Sequence, residues 1–174
     1  PGARLDPAEL LQTLPGVQVD SRSNYAQDTR ISLRGFGARS AFGVRGIDLQ
    51  VDGIPMSTPD GQGQLSSVML DNIDSVQVLR GPIAALYGNG AGGVIALKTA
   101  SDRPSALGAS YALSQQHQQS QFSVQQQGER QQFSLSAKHF ETDGFRPQSA
   151  ARKQQLQSLW QYQLGNELSL RLRL

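Results

Sequence analysis

From Leu107 to Leu174 polar and apolar residues take turns, and a two-residue period confines such a segment to β-strands with one apolar face. Leu107, Ala109, Tyr111 and Leu113 share a side, opposite Gly108 and Ser110. Phe122 and Val124 alternate with Ser123 and Gln125, and Phe133, Leu135 and Ala137 with Ser134, Ser136 and Lys138. Trp160, Tyr162 and Leu164 alternate with Gln161 and Gln163, and Leu168, Leu170, Leu172 and Leu174 with Ser169, Arg171 and Arg173. Turn signals stand at Gly128-Glu129, Asp143-Gly144 and Gly165-Asn166. Antiparallel strands of this kind make a half-buried soluble sheet or the wall of a membrane barrel, apolar towards lipid and polar towards the lumen. The periodicity leaves both open.

Residues 1–100 follow a different grammar, dense in Gly and Pro with short apolar runs. Asp6-Pro7-Ala8-Glu9 reads as a capping box, and Leu10, Leu11 and Leu14 form the apolar stripe of a short helix that Pro15-Gly16 ends. Five short strands are expected around Val17–Val19, Ile31–Leu33, Ile47–Val51, Val76–Leu79 and Val94–Leu97, each bounded by Gly, Pro, Asn or Asp. The change of grammar falls at Ala100-Ser101-Asp102-Arg103-Pro104, a linker by composition. The expected organisation is a domain over 1–100 followed by a strand-rich segment over 101–174.

Composition removes several function classes. A net charge of +2 without a basic run argues against nucleic acid. The absence of cysteine excludes disulfides and thiol chemistry. No run approaches 18 apolar residues, which excludes a transmembrane helix but not membrane strands. The opening Pro-Gly-Ala-Arg does not look like a signal peptide, so the chain is expected to start after any export signal. His117 and His139 are isolated from other ligand-type residues, and neither neighbours a plausible nucleophile, so no metal, cofactor or enzymatic site is expected. Gly88-Asn89-Gly90-Ala91-Gly92-Gly93 lacks the Lys-Ser/Thr ending of a phosphate loop and precedes a strand; its glycines are expected to permit positive φ and close packing against a barrel wall.

Several blocks in order resemble the plug of TonB-dependent outer-membrane receptors. Leu11-Gln12-Thr13-Leu14-Pro15-Gly16-Val17 is similar to the family's first helix and Leu-Pro-Gly-Val turn. Ile31-Ser32-Leu33-Arg34-Gly35 matches its strand ending in Arg-Gly, and Val51-Asp52-Gly53-Ile54-Pro55 its Asp-Gly-Xaa-Pro turn. The longest block runs from Ile73 to Pro82 and continues through Ala85-Leu86-Tyr87-Gly88 to Gly92-Gly93-Val94-Ile95. Phe140 to Arg146 resembles the early barrel, and Gln77 stands where the family usually has glutamate. Segments Asn24–Asp28, Arg34–Ser40 and Asp52–Gln64 look closest to the pyrroloquinoline quinone receptor branch, often grouped with iron-siderophore receptors.

The resemblance implies an α+β plug, a small mixed β-sheet with short helices, followed by the first antiparallel strands of a transmembrane β-barrel. It implies active import of a scarce small ligand across the outer membrane of a Gram-negative bacterium, powered by the TonB–ExbB–ExbD complex and with outer-membrane lipid around the barrel. Arg34 and Arg80 would pair with glutamates on the inner barrel wall, expected beyond residue 174. Apical loops would meet the ligand through Arg39, Ser40, Arg45, Ser57, Thr58, Asp60 and Gln62, the arginines suiting carboxylates. Trp160 and Tyr162 would join the aromatic girdle. Such receptors need about 22 strands, so the chain is expected to be part of a longer protein. The competing reading is a soluble periplasmic or surface ligand-binding module without transport.

Overall fold

The structure is a computed structural model that describes residues 7–20, 29–38, 40, 43–58, 61–80, 92–100, 104–114, 117–144, 148–165 and 168–174; the proposed cap at Asp6 lies outside them. The chain divides into two compact units, Pro1–Ala100 and Ser101–Leu174.

The first unit opens with helix α1 (Pro7–Leu11), which turns at Pro15-Gly16 into β1 (Val17–Asp20), paired antiparallel with β2 (Arg30–Leu33). Gly16, five residues past the end of α1, takes a positive φ of 75° in the turn that leads into β1. A second ladder joins β3 (Val44–Arg45) to β6 (Gln62–Gly63). The main sheet has the order β5-β4-β8-β7, with β4 (Asp48–Val51), β5 (Ile54–Pro55), β7 (Ile73–Leu79) and β8 (Val94–Thr99). Strand β8 pairs parallel with β4 and antiparallel with β7, so the sheet is mixed. Its central position matches its near-continuous apolar run, because a strand covered on both faces has no reason to alternate.

Ile95 and Leu97 are buried with Leu49 and Val51 of β4, Ile31 and Leu33 of β2, and Leu11 of α1 in one core. Asp52 and Gly53 both have positive φ, 52° and 80°, which suits a two-residue hairpin turn of type I′ between β4 and β5. The Asp52 carboxylate then accepts hydrogen bonds from the Thr99 backbone N–H (2.8 Å) and hydroxyl (2.6 Å), fastening the turn to the end of β8.

The five expected strands correspond to β1, β2, β4, β7 and β8. The expectation of several short helices needs correction. Among the described residues the first unit has only the five-residue α1 and a 3-10 turn at Leu70–Asn72. Repeated Gly and Pro cut the chain into pieces too short for a helix nucleus to repay its entropy, and the β-branched runs pair as strands instead.

The second unit is an antiparallel meander of β9 (Ala106–Leu113), β10 (His117–Gln127), β11 (Gln131–Thr142), β12 (Ala151–Gln163) and β13 (Ser169–Arg173), with β9 and β13 at its edges. The registers bring apolar side chains of the outward face into cross-strand rows. Leu107, Val124 and Leu135 form one cross-strand row, and Ala109, Phe122, Ala137 and Leu156 the next. Phe133, Trp160 and Leu172 form a third. Leu107 is 74% exposed, Leu156 71% and Trp160 38%, so the apolar face stands uncovered. The opposite face carries Gln121, Lys138 and Gln155 in one row and Gln161 beside Arg171 in another. Connections 128–130 and 164–168 lie at one end and 114–116 and 143–150 at the other. Among the described residues no helix is long and apolar enough to cross a membrane, which says nothing of strands.

Two outcomes are expected. Residues 1–174 self-associate in size-exclusion chromatography without detergent, through open edges and the bare apolar face, whereas residues 1–100 stay monomeric; monomeric behaviour of both would mean that the apolar face needs no cover. Replacing Asp52 by Ala strips Thr99 of its acceptor and lowers stability by roughly 1–3 kcal/mol, measured by urea denaturation of residues 1–100.

Candidate functional site

The loops between β2 and β7 hold most of the polar residues that the sequence singled out. The β3–β6 ladder places Arg45 directly across from Gln62, and Val44 across from Gly63. Thr58 closes the other side: its backbone N–H and hydroxyl both donate to the Gln62 carbonyl at 2.9 Å, and Gly61 N–H donates back to the Thr58 carbonyl at 2.8 Å. Arg45, Thr58 and Gln62 therefore form one patch, in which Arg45 and Thr58 are exposed and Gln62 is half-buried. A guanidinium beside an amide and a hydroxyl suits a ligand bearing carboxylate or other anionic oxygens.

Ser57 behaves differently. It bridges to Gly63, and its Oγ is buried without a hydrogen-bond partner, so it does not face outward with Thr58. Ser40 lies apart from the patch, in the turn where its N–H donates to the Gly37 carbonyl at 3.0 Å. Arg39 and Asp60 lie outside the described residues.

What fixes the patch is apolar. A Cβ on Gly63 would stand 2.8 Å from Leu49 Cδ1, and Leu49 is fully buried in the main sheet, so the loop rests on the core only because residue 63 has no side chain. Gly43 is similarly tight, its Cβ position 2.9 Å from the Gly63 carbonyl. The expected glycine packing at 92–93 also takes a particular form. Cβ atoms there would meet Phe36 Cβ at 2.5 Å and Leu33 Cδ2 at 2.6 Å, so the close approach is to the first unit's own β2 turn. Residues 81–91 lie outside the described region.

Arg34 sits just past β2 with a positive φ of 53°, exposed. Arg80 follows β7 and donates through Nη2 to the Pro15 carbonyl, with the guanidinium 3.8 Å from the Cβ position of Gly16. Gln77 is exposed on β7, opposite Ala96. In the second unit Trp160 and Tyr162 are outward neighbours with ring centroids 6.1 Å apart, close to the 164–168 connection.

The first unit is thus a small mixed domain with glycine-seated loops, and the second a meander with an exposed apolar face. Residues 3–95 match the model of the TonB-dependent Receptor Plug Domain, and the chain belongs to that family. It is 38% identical over 93 residues to the vitamin B12 transporter BtuB of Vibrio vulnificus (strain YJ016), an alignment covering 52% of this chain and 14% of that protein. It is 33% identical over 109 residues to the ferrienterobactin receptor of Escherichia coli (strain K12), covering 54% and 14%. The fold is similar to the siderophore receptor PirA from Pseudomonas aeruginosa, with a TM-score of 0.63 and 23% identity over 99% of this chain and 32% of that one. The chain thus spans about one seventh of these curated relatives.

Replacing Gly63 by Ala is expected to push Leu49 out of place and lower the stability of residues 1–100 by about 1–3 kcal/mol. Replacing Gly61, which has open space at its Cβ position but a φ of 78°, by Asn is expected to change it by less than about 1 kcal/mol. Urea denaturation of the two variants side by side measures both.

Proposed function

We propose that this chain is the gating part of an outer-membrane active transporter that imports a scarce, oxygen-rich anionic ligand. The carrying observation is the pairing of a TonB-dependent receptor plug with a downstream sheet whose apolar face is exposed and whose other face is polar. Residues 101–174 are read as the first part of the barrel. The apolar face meets lipid, Trp160 and Tyr162 sit in an interfacial girdle, and the short 128–130 turn lies on the periplasmic side.

Arg39, Ser40, Arg45, Thr58, Asp60 and Gln62 are read as the plug's contribution to the ligand site, with Ser57 buried in the supporting loop. The polar face of the sheet supports an anionic ligand too. Lys138, Lys153, Arg171 and Arg173 fall on it and, among the described residues, no carboxylate does. Such a surface raises the local concentration of anions.

Transport needs an energy source on the far side, for which the TonB–ExbB–ExbD complex is the partner. Ligand binding must favour a plug state in which the N-terminal segment is accessible. Arg34 and Arg80 are read as plug–barrel contacts, their guanidinium forks suiting paired carboxylates on the wall. In the present chain Arg80 is seated on the Pro15 carbonyl, and a wall carboxylate would compete for it.

Ferric siderophore is the ligand class favoured, because relatives named as enterobactin receptors match both the sequence and the fold. A pyrroloquinoline quinone-like cofactor is the narrower alternative and rests on the loop sequences alone. In the receptor containing this chain, Arg45→Ala is expected to weaken ligand binding about 10-fold or more, the range for a lost charge-assisted hydrogen bond. Fluorescence titration with ferric enterobactin, other ferric siderophores and pyrroloquinoline quinone checks this. Absence of affinity for all of them would overturn the ligand class.

A further inference from the structure

We infer that the outward face of β10, β11 and β12 carries a seat for one phosphorylated, multiply acylated glycolipid of the outer leaflet. This rests on the barrel reading above and goes beyond it, since general contact with a bilayer needs no seat. The apolar row Ala109–Phe122–Ala137–Leu156 has a gap where Ala137 stands between two large side chains. The gap is part of a groove of about 430 Å³, lined on this face by Ser120, Phe122, Ala137, His139, Gln154 and Leu156.

One row towards the 143–150 connection the lining turns polar, with Ser120, His139 and Gln154 side by side. One row further stand Gln118, Glu141 and Arg152. These side chains are linked. Arg152 Nη2 donates to Glu141 Oε1 at 2.6 Å, and Gln118 Nε2 donates to Oε2 at 3.1 Å. His139 Nε2 lies 3.8 Å from the same Oε2, and its Nδ1 is 3.4 Å from Gln154 Nε2.

Three features select the occupant. The apolar part of the groove, at Phe122, Ala137 and Leu156, adjoins the row of Leu107, Val124 and Leu135, so the chains of an occupant continue along apolar side chains. Above it, two cation-capable groups face a single carboxylate whose two oxygens are both engaged. Arg152 is 65% exposed in its side chain and commits one guanidinium nitrogen to Glu141, while a guanidinium offers five N–H donors in a fork that fits a phosphate. The spacing agrees as well. Ala137 and Glu141 are four residues apart, about 14 Å along a strand and about 10 Å of depth at a 45° tilt, which is the step from upper acyl chain to headgroup. The end bearing the longer connection is the external one, so the leaflet is the outer one, where the phosphorylated acyl lipid is a glycolipid.

The test uses the whole receptor containing this chain, extracted from outer membranes in mild detergent. Retained lipid is read by native mass spectrometry, and rebinding is read with lipid A and, separately, phosphatidylglycerol. One lipid A molecule per receptor is expected, with occupancy falling at least fivefold in Ala137→Phe and in Arg152→Gln. Glu141→Gln is expected to hold lipid A at least as well as the parent, because it frees Arg152; should Ala137→Phe fail to assemble, the two headgroup variants decide. Occupancy unchanged in the variants, equal retention of phosphatidylglycerol, or no retained lipid on a membrane-inserted receptor would each overturn the seat. A receptor that is not membrane-inserted, shown by the absence of heat-modifiable mobility, would instead bring down the barrel reading itself.

Discussion

Leucine on the open side of a sheet has to be covered, and in the second unit the chain's own residues leave it bare. Leu107, Leu113 and Leu156 are each more than 70% exposed on that side. A soluble domain would meet the demand with a second layer of its own; a barrel wall meets it with hydrocarbon. The opposite face is rich in glutamine and serine, and it also buries Lys138, Phe140 and Leu159. In the proposed barrel, closure follows from the same constraint, since lipid cannot satisfy the open sides of the edge strands β9 and β13.

The first unit solves a different problem. It packs a real core around Leu49, Ile95 and Leu97, yet its loops are held by small contacts rather than by long secondary structure. Two-residue ladders such as β3–β6 and seats such as Gly63 over Leu49 make position depend on close fit. Elements of this kind have few backbone hydrogen bonds each and lie towards the low end of local stability. Strands β4 and β8 form the buried centre of this unit, and the loops around it hold their position by close fit.

Much of this architecture was legible in the residues. Runs such as Val94–Leu97 and Val76–Leu79 announce strands through β-branching and flanking turn residues, although β7 begins earlier, at Ile73, and the alternation after Leu107 fixes which side chains share a face. Less was legible where the signal is short or indirect. Strands β3, β5 and β6 have two residues each, too few to show a period. The connection between β9 and β10 lacks Gly or Pro, and Ser114 does the work instead, accepting the His117 N–H at 3.2 Å through its hydroxyl. Ser57 reads as a polar loop residue like Thr58, but its Oγ is buried where the chain bridges to Gly63, a pairing that no sequence period announces. The patch chemistry of Arg45 and Gln62 could be read from composition; their cross-strand adjacency required the register.

The grip of Arg80 on the Pro15 carbonyl has a mechanical consequence. It ties the stretch following α1 to the end of β7, which among the described residues is an edge strand paired with β8. Tension entering at the amino end would thus be shared between the covalent path into β1 and a side branch into that edge. An edge strand loaded from its tip comes away like a zipper, one hydrogen bond at a time, whereas β4, with neighbours on both sides, would have to be sheared. The order of yielding is written into the topology: margin first, centre last.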